Sequence, residues 1–132
     1  MQNPNQILRQ GACAAIVLVL ATSGVASADS PTGRWRGGWH SDGSNHQGTL
    51  GARIRPTGPD SYRAVFYGRF AVVVPFIYRT DLHRVPGTCN CYTSTKQMPI
   101  LGEYRMTASV SQNRFYAKFR GKKDQGTFDL SR

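Results

Sequence analysis

Acidic residues are scarce in this chain. Asp and Glu number 7 against 17 Lys and Arg in 132 residues, a formal charge of +10. Such an excess says nothing about fold, but it favours association with polyanions. Arginine outnumbers lysine, which points to phosphate, sulfate or carboxylate groups rather than to solubility alone. Cysteine is nearly absent: there are 3, and only Cys89 and Cys91 follow the first apolar run. No framework of several disulfides can form, so burial of apolar surface must carry the stability. Beyond residue 28 no apolar pattern keeps a helical period, which excludes a helix bundle. Internal helical repeats, low-complexity linkers, G-x-S-x-G, H-E-x-x-H and phosphate-loop motifs are all missing as well.

The one long hydrophobic run is Ala14-Ala15-Ile16-Val17-Leu18-Val19-Leu20. It follows a polar segment whose only charge is Arg9 and precedes Ala26-Ser27-Ala28. That order is a secretory signal peptide over residues 1–28, cleaved after Ala28. An uncleaved membrane anchor is the competing reading, weakened by Thr22, Ser23, Gly24 and Ser27 in the second half of the segment. Cys13 precedes the apolar run and cannot be a lipoprotein acceptor placed after it. Cleavage leaves 104 of the 132 residues, a single domain spanning 29–132 with one core. It removes one basic group and no acid, so the mature charge is one less than +10. The expected location is secreted or periplasmic. In that oxidising setting Cys89 and Cys91 are candidates for a strained disulfide. At i and i+2 on a strand their Cα atoms would lie about 6.5–7 Å apart, near the outer limit for a bridge.

What the mature chain does contain is period-two alternation, broken at short intervals by turn residues. The first strand spans about Arg34 to Ser41 and ends in the turn Asp42-Gly43-Ser44-Asn45. Leu50, Ala52 and Ile54 give the second an inner face, and Pro56-Thr57-Gly58-Pro59-Asp60 closes its hairpin. Tyr62, Ala64 and Phe66 do the same for the third, where Gly68-Arg69-Phe70 reads as a bulge or corner that resets the phase. A fourth strand lies within Val72 to Val85, and a polar fifth runs from Cys89 to about Gln97. Tyr104, Met106, Ala108 and Val110 mark the sixth, Phe115, Ala117 and Phe119 the seventh, and Phe128 and Leu130 the eighth. Eight strands joined by short hairpins predict an all-β fold, an eight-stranded antiparallel up-and-down barrel, because closure removes the two exposed edges. A two-sheet β-sandwich is the alternative.

Two binding surfaces follow from the alternation. Inside, Trp35, Trp39, Tyr62, Phe66, Tyr104 and Phe115 would line or fill the bore. Alanines lie between larger residues on four strands (Ala52, Ala64, Ala108, Ala117). They leave room for a small apolar ligand, or let the aromatic rings cross the middle and pack it shut. Outside, Arg53, Arg55, Arg63, Arg69, Arg105 and Arg120 take the outward phase with Tyr67 and Tyr116 among them. They form a basic wall suited to a polyanion, or simply a solvated surface that discourages strand pairing. No spacing groups His40, His46 and His83 with the cysteines, so no metal and no cofactor is expected. The acids read as turn residues or stand alone, without a paired general acid and base, so no catalysis is expected.

The pattern Gly33-x-Trp35 resembles the G-x-W signature of calycin barrels (lipocalins, avidins and relatives), which implies a barrel that binds small ligands. In such barrels an arginine near the chain end packs over the tryptophan, a role the resemblance gives to Arg132 or Arg120. A wider set of segments is similar to an uncharacterised family of short secreted bacterial proteins. These are Trp35-x-Gly37-x-Trp39, Gly68-Arg69-Phe70, Pro75-Phe76-x-Tyr78, Gly102-x-Tyr104-x-Met106-x-Ala108 and Asp124-x-Gly126-x-Phe128-x-Leu130-x-Arg132. That likeness implies secretion and no particular activity. The expectation is a monomeric envelope or secreted binding protein for a small apolar ligand or a polyanion, with nucleic acid disfavoured as a partner because secretion removes most of it from reach. The competing expectation is a non-catalytic structural protein with a filled core. N-terminal sequencing of exported material should read Asp29 as the first residue; an intact Met1 would exclude cleavage after Ala28.

Overall fold

The computed structural model describes residues 30–70 and 73–132. The signal segment expected over residues 1–28 lies outside these. Eight strands follow one another: β1 (Gly33–Ser41), β2 (Gln47–Pro56), β3 (Ser61–Phe70), β4 (Val74–Arg84), β5 (Cys91–Met98), β6 (Gly102–Val110), β7 (Arg114–Arg120) and β8 (Gln125–Ser131). Each pairs antiparallel with its neighbours in sequence, and β1 pairs with β8 to close an up-and-down barrel. The sandwich alternative is therefore not formed. Closure covers the strand edges except where β4 and β5 part.

The expected inner faces are the buried ones. Leu50, Ala52 and Ile54 of β2, Tyr62, Ala64 and Phe66 of β3, and Phe115, Ala117 and Phe119 of β7 all enter one core. The alanines do not form a ring at one level. Ala52 sits between Trp35 and Phe66 on the adjacent strands, and Ala117 between Ala108 and Phe128. Each small residue thus leaves space beside a large one, and the large ones cross the bore. Trp35 reaches Phe115 at 5.8 Å between ring centroids, Phe66 reaches Phe115 at 5.9 Å, and Phe66 reaches Phe128 at 5.2 Å. A buried aromatic ring removes roughly 150–250 Å² from water, several kcal/mol at about 25 cal/mol per Å². The middle of the barrel is filled.

Because hairpins alternate, the two ends differ. At the base, where the chain enters and leaves, the Trp35 indole donates to the Pro31 carbonyl at 2.8 Å. The Arg132 guanidinium lies 4.2 Å from its ring centroid. Arg132 also donates to the carbonyls of Gln112, Thr32 and Ser30, tying both ends of the chain to the β6–β7 turn. At the opposite rim, Ser41 donates to Asp124, joining the β1–β2 and β7–β8 turns. Gly37 and Gly126 permit the close approach at the seam. A side chain at Gly37 would strike the backbone of Asp129 and Leu130, and one at Gly126 the carbonyl of His40.

Three local expectations change. Pairing of β3 with β4 runs unbroken through Gly68↔Phe76, Arg69↔Pro75 and Phe70↔Val74, so the phase does not reset at Gly68. β5 begins at Cys91, leaving Cys89 in the preceding bend and not on a strand. Cys91 is a free thiol, its Sγ 3.4 Å from Asn90 Oδ1, so the expected Cys89–Cys91 bridge is not made. Finally, β4 and β5 pair only at His83↔Thr93 and Arg84↔Tyr92 and then diverge toward the rim. Arg132→Ala removes a cation–π contact and three carbonyl hydrogen bonds at once. It should lower stability by about 2 kcal/mol, read as a fall in melting temperature with a shift in tryptophan emission.

Candidate functional site

Of the interior candidates, Trp35, Trp39, Tyr62, Phe66 and Phe115 are buried and Tyr104 is half-buried. They separate into two groups. Trp35, Phe66 and Phe115 meet at the centre, while Tyr62 stands at the base against Tyr92, its ring centroid 5.6 Å away. Trp39 and Tyr104 belong to the rim. Trp39 stacks on Phe70 at 6.0 Å and donates its indole N–H to the Arg69 carbonyl at 3.2 Å. Tyr104 stacks on Phe119 at 6.1 Å and lies 6.4 Å from Tyr78. Burial raises the Tyr104 phenol above its ordinary pKa, and the nearby Asp124 and Tyr78 push it the same way.

The exterior divides more sharply. Arg53, Arg55 and Arg63 share one wall with Arg34, Arg36 and Arg79. Arg34 faces Arg53 across β1 and β2, and Arg55 faces Arg63 across β2 and β3. Asp81 is the sole acid in β1–β4, and it pairs with Arg63 at 3.2 Å. Arg69 is six residues along β3 from Arg63, about 20 Å toward the rim. Arg105 and Arg120 face each other on β6 and β7, on the far side of the barrel. There the charges are better matched: Arg105 is paired with Glu103, and Arg114 with Asp129 at 2.9 Å. The Arg114 guanidinium holds the Asp129 carboxyl below its usual range. The six arginines expected to act together thus occupy three places.

At its β4 edge the arginine wall runs into the gap left by the diverging β4 and β5. A concavity of about 360 Å³ lies there, lined by Arg63, Arg79, His83, Lys96, Thr80 and Thr95 together with Asp81. Lys96 lies on the inward phase of β5. Its ammonium donates to the Arg79 carbonyl and sits 5.5 Å from the Tyr78 ring centroid, so it spans the gap. A second, shallower hollow of about 460 Å³ lies over Gly38 and Gly48, with His40 and Asp129 at its border and no lysine or arginine. His40 is held by Asp42 and Asn45, each at 3.2 Å, and His46 packs edge-on against Phe70.

Sequence reasoning left Arg34, Arg36 and Arg79 out of the site. The first two were visible as the outward partners of Trp35. Arg79 was not, because the phase of β4 is set by its pairing with β3 and not by its own composition.

No protein family and no curated relative matches the chain. Among solved structures, it is similar to a de novo designed fluorescence-activating β-barrel, with a TM-score of 0.64 and 19% identity. That match covers 82% of this chain and 98% of the other. A redesigned barrel, mFAP1, bound to DFHBI matches with a TM-score of 0.63 and 14% identity over 81% and 97% of the two chains. EF1p2_mFAP2b, also bound to DFHBI, matches at 0.61 and 18% over 76% and 92%. These similarities establish the closed β-barrel fold.

A phenol whose folded pKa is raised stabilises the fold below its unfolded value near 10, and that contribution is lost as pH climbs toward the folded value. Ultraviolet titration of the tyrosines should therefore show a late-ionising phenol that disappears in Tyr104→Phe. A wild-type curve with every accessible tyrosine ionising together would contradict the burial assigned to Tyr104.

Proposed function

We propose that this chain is a non-catalytic binding module, exported from the cytoplasm as its leader suggests, that holds an anionic polymer on the outer wall of β1–β4. One observation carries this reading: arginines stand directly opposite one another at Arg34–Arg53 and Arg55–Arg63, with Asp81 the only strand acid on that side. Like charges facing across a sheet destabilise it, by about 0.2–1 kcal/mol per pair. A phosphate, sulfate or carboxylate lying between two guanidiniums reverses the sign of that term. It also gains bidentate hydrogen bonds that a lysine pair would not supply. The Arg63–Arg79–Lys96 concavity gives such a polymer a place to seat one charged group.

The small apolar ligand expected between the interior rings is less well supported, because Trp35, Phe66 and Phe115 already pack on one another. The designed barrels bound to DFHBI make ligand binding compatible with the architecture. The envelope is the proposed setting, in keeping with the resemblance to short secreted bacterial proteins, and the monomer the proposed working form.

Retention on a heparin column across a salt gradient tests the reading. Two variants each lose two arginines, Arg53→Ala with Arg63→Ala on the wall and Arg105→Ala with Arg120→Ala opposite. The wall variant should elute at clearly lower salt and the other near wild type, while the wall variant melts no lower than wild type. Equal shifts for both would mean that net charge alone governs retention, leaving a structural protein with a filled core.

A further inference from the structure

Among the described residues, most of the large apolar side chains that remain exposed gather at one end, Tyr67 and Ile77, paired across β3 and β4, being the exceptions. Phe70, Val73, Val74, Ile100 and Leu101 all belong to two hairpins, β3–β4 and β5–β6. In an up-and-down barrel these open at the same end, on either side of the gap where β4 and β5 part. Val73 is 78% exposed, Ile77 on the outer face of β4 is 61% exposed, and Ile100 is fully exposed. Among the described residues the base shows no such side chain. An apolar cluster of this kind in water marks a contact surface.

Ile100 adds a second, independent observation. The Leu101 N–H donates to the Pro99 carbonyl at 2.7 Å, and Ile100 between them has φ 72°. This is the strained form of the γ-turn, and a β-branched residue at positive φ is a backbone outlier. Glycine would make the same turn without strain. Nothing in the turn itself calls for isoleucine, and its side chain touches no core. Strain kept at an exposed apolar tip points to a role for that side chain outside the molecule.

The charges at this end say what lies outside. The alkyl stem of Lys122 passes over Gly102, beside the β5–β6 tip, and Lys123 follows it. Arg69 pairs with Pro75 next to the β3–β4 tip. Of the carboxylates nearby, Glu103 is offset by Arg105, while Asp124 accepts from the neutral Ser41 hydroxyl and Asp42 lies against His40. Lysines flank one apolar tip and an arginine the other, an arrangement that suits an anionic lipid surface, where headgroups meet the cations and acyl chains the isoleucine and valines. The outward faces below carry arginines where a membrane-spanning barrel has its apolar band. Only the tips can enter. We propose that the rim formed by the β3–β4 and β5–β6 hairpins docks the barrel end-on to an anionic lipid bilayer through Ile100, Leu101, Val73 and Val74.

Sedimentation with lipid vesicles tests this. The protein should partition onto vesicles of phosphatidylcholine mixed with phosphatidylglycerol and not onto phosphatidylcholine alone. Ile100→Gly should weaken that partition about tenfold, since it withdraws one inserted aliphatic side chain. Its melting temperature should stay level or rise, because glycine accepts the turn. Arg53→Ala with Arg63→Ala should keep its affinity for the mixed vesicles. The proposal is overturned if the wild type fails to partition, or if Ile100→Gly binds as wild type does. Loss of binding in the Arg53/Arg63 variant would overturn it too, by assigning the lipid contact to the wall. So would a dimer in solution that Ile100→Gly dissociates, which would give the tips to a second copy of the chain.

Discussion

Everything in this molecule depends on four rings meeting across a narrow barrel. Trp35, Phe66, Phe115 and Phe128 come from β1, β3, β7 and β8, and room for them comes from Ala52, which stands beside Trp35 and Phe66, and Ala117, which stands beside Phe128. With no multi-disulfide framework, this contact is what keeps eight short strands in one closed register. Arg132 completes it by lying flat on Trp35 and binding three carbonyls, so the last residue of the chain holds down its first strand.

A filled bore is why the proposed contacts lie on the outside. An interior occupied by protein rings leaves the wall, the gap between β4 and β5, and the rim as places where other molecules can be met. The wall is unusual because its arginines face each other with Asp81 as the one strand acid among them, at some cost to folding. The rim is unusual because it keeps a strained, exposed isoleucine. Both features cost stability, and the two proposed contacts rest on them. They are compatible with one another, since the wall runs along the barrel and the tips stand at its end.

Much of this could be read from residue order. Tyr62, Ala64 and Phe66, or Phe115, Ala117 and Phe119, declare their faces by strict alternation, and a side chain's face follows from its parity once a strand is recognised. Less could be read where pairing decides. The continuity of β3 past Gly68, the phase of Arg79 and the early parting of β4 from β5 depend on the neighbouring strand. The bridge between Cys89 and Cys91, expected from an oxidising setting, is not made, since Cys91 is a free thiol.

Sequence by itself determined the all-β class, the number of strands, which residues face inward outside β4 and β5, and the excess of arginine, because each follows from local alternation and composition. Tertiary structure alone decided which arginines stand together and whether Trp35 and Trp39 line the bore or plug it. Those answers come from register and closure, which join residues far apart in the chain. Trp35 meets Phe115 and Arg132 at the centre and base of the barrel, while Trp39, four residues on, meets Phe70 and Phe76 at the rim.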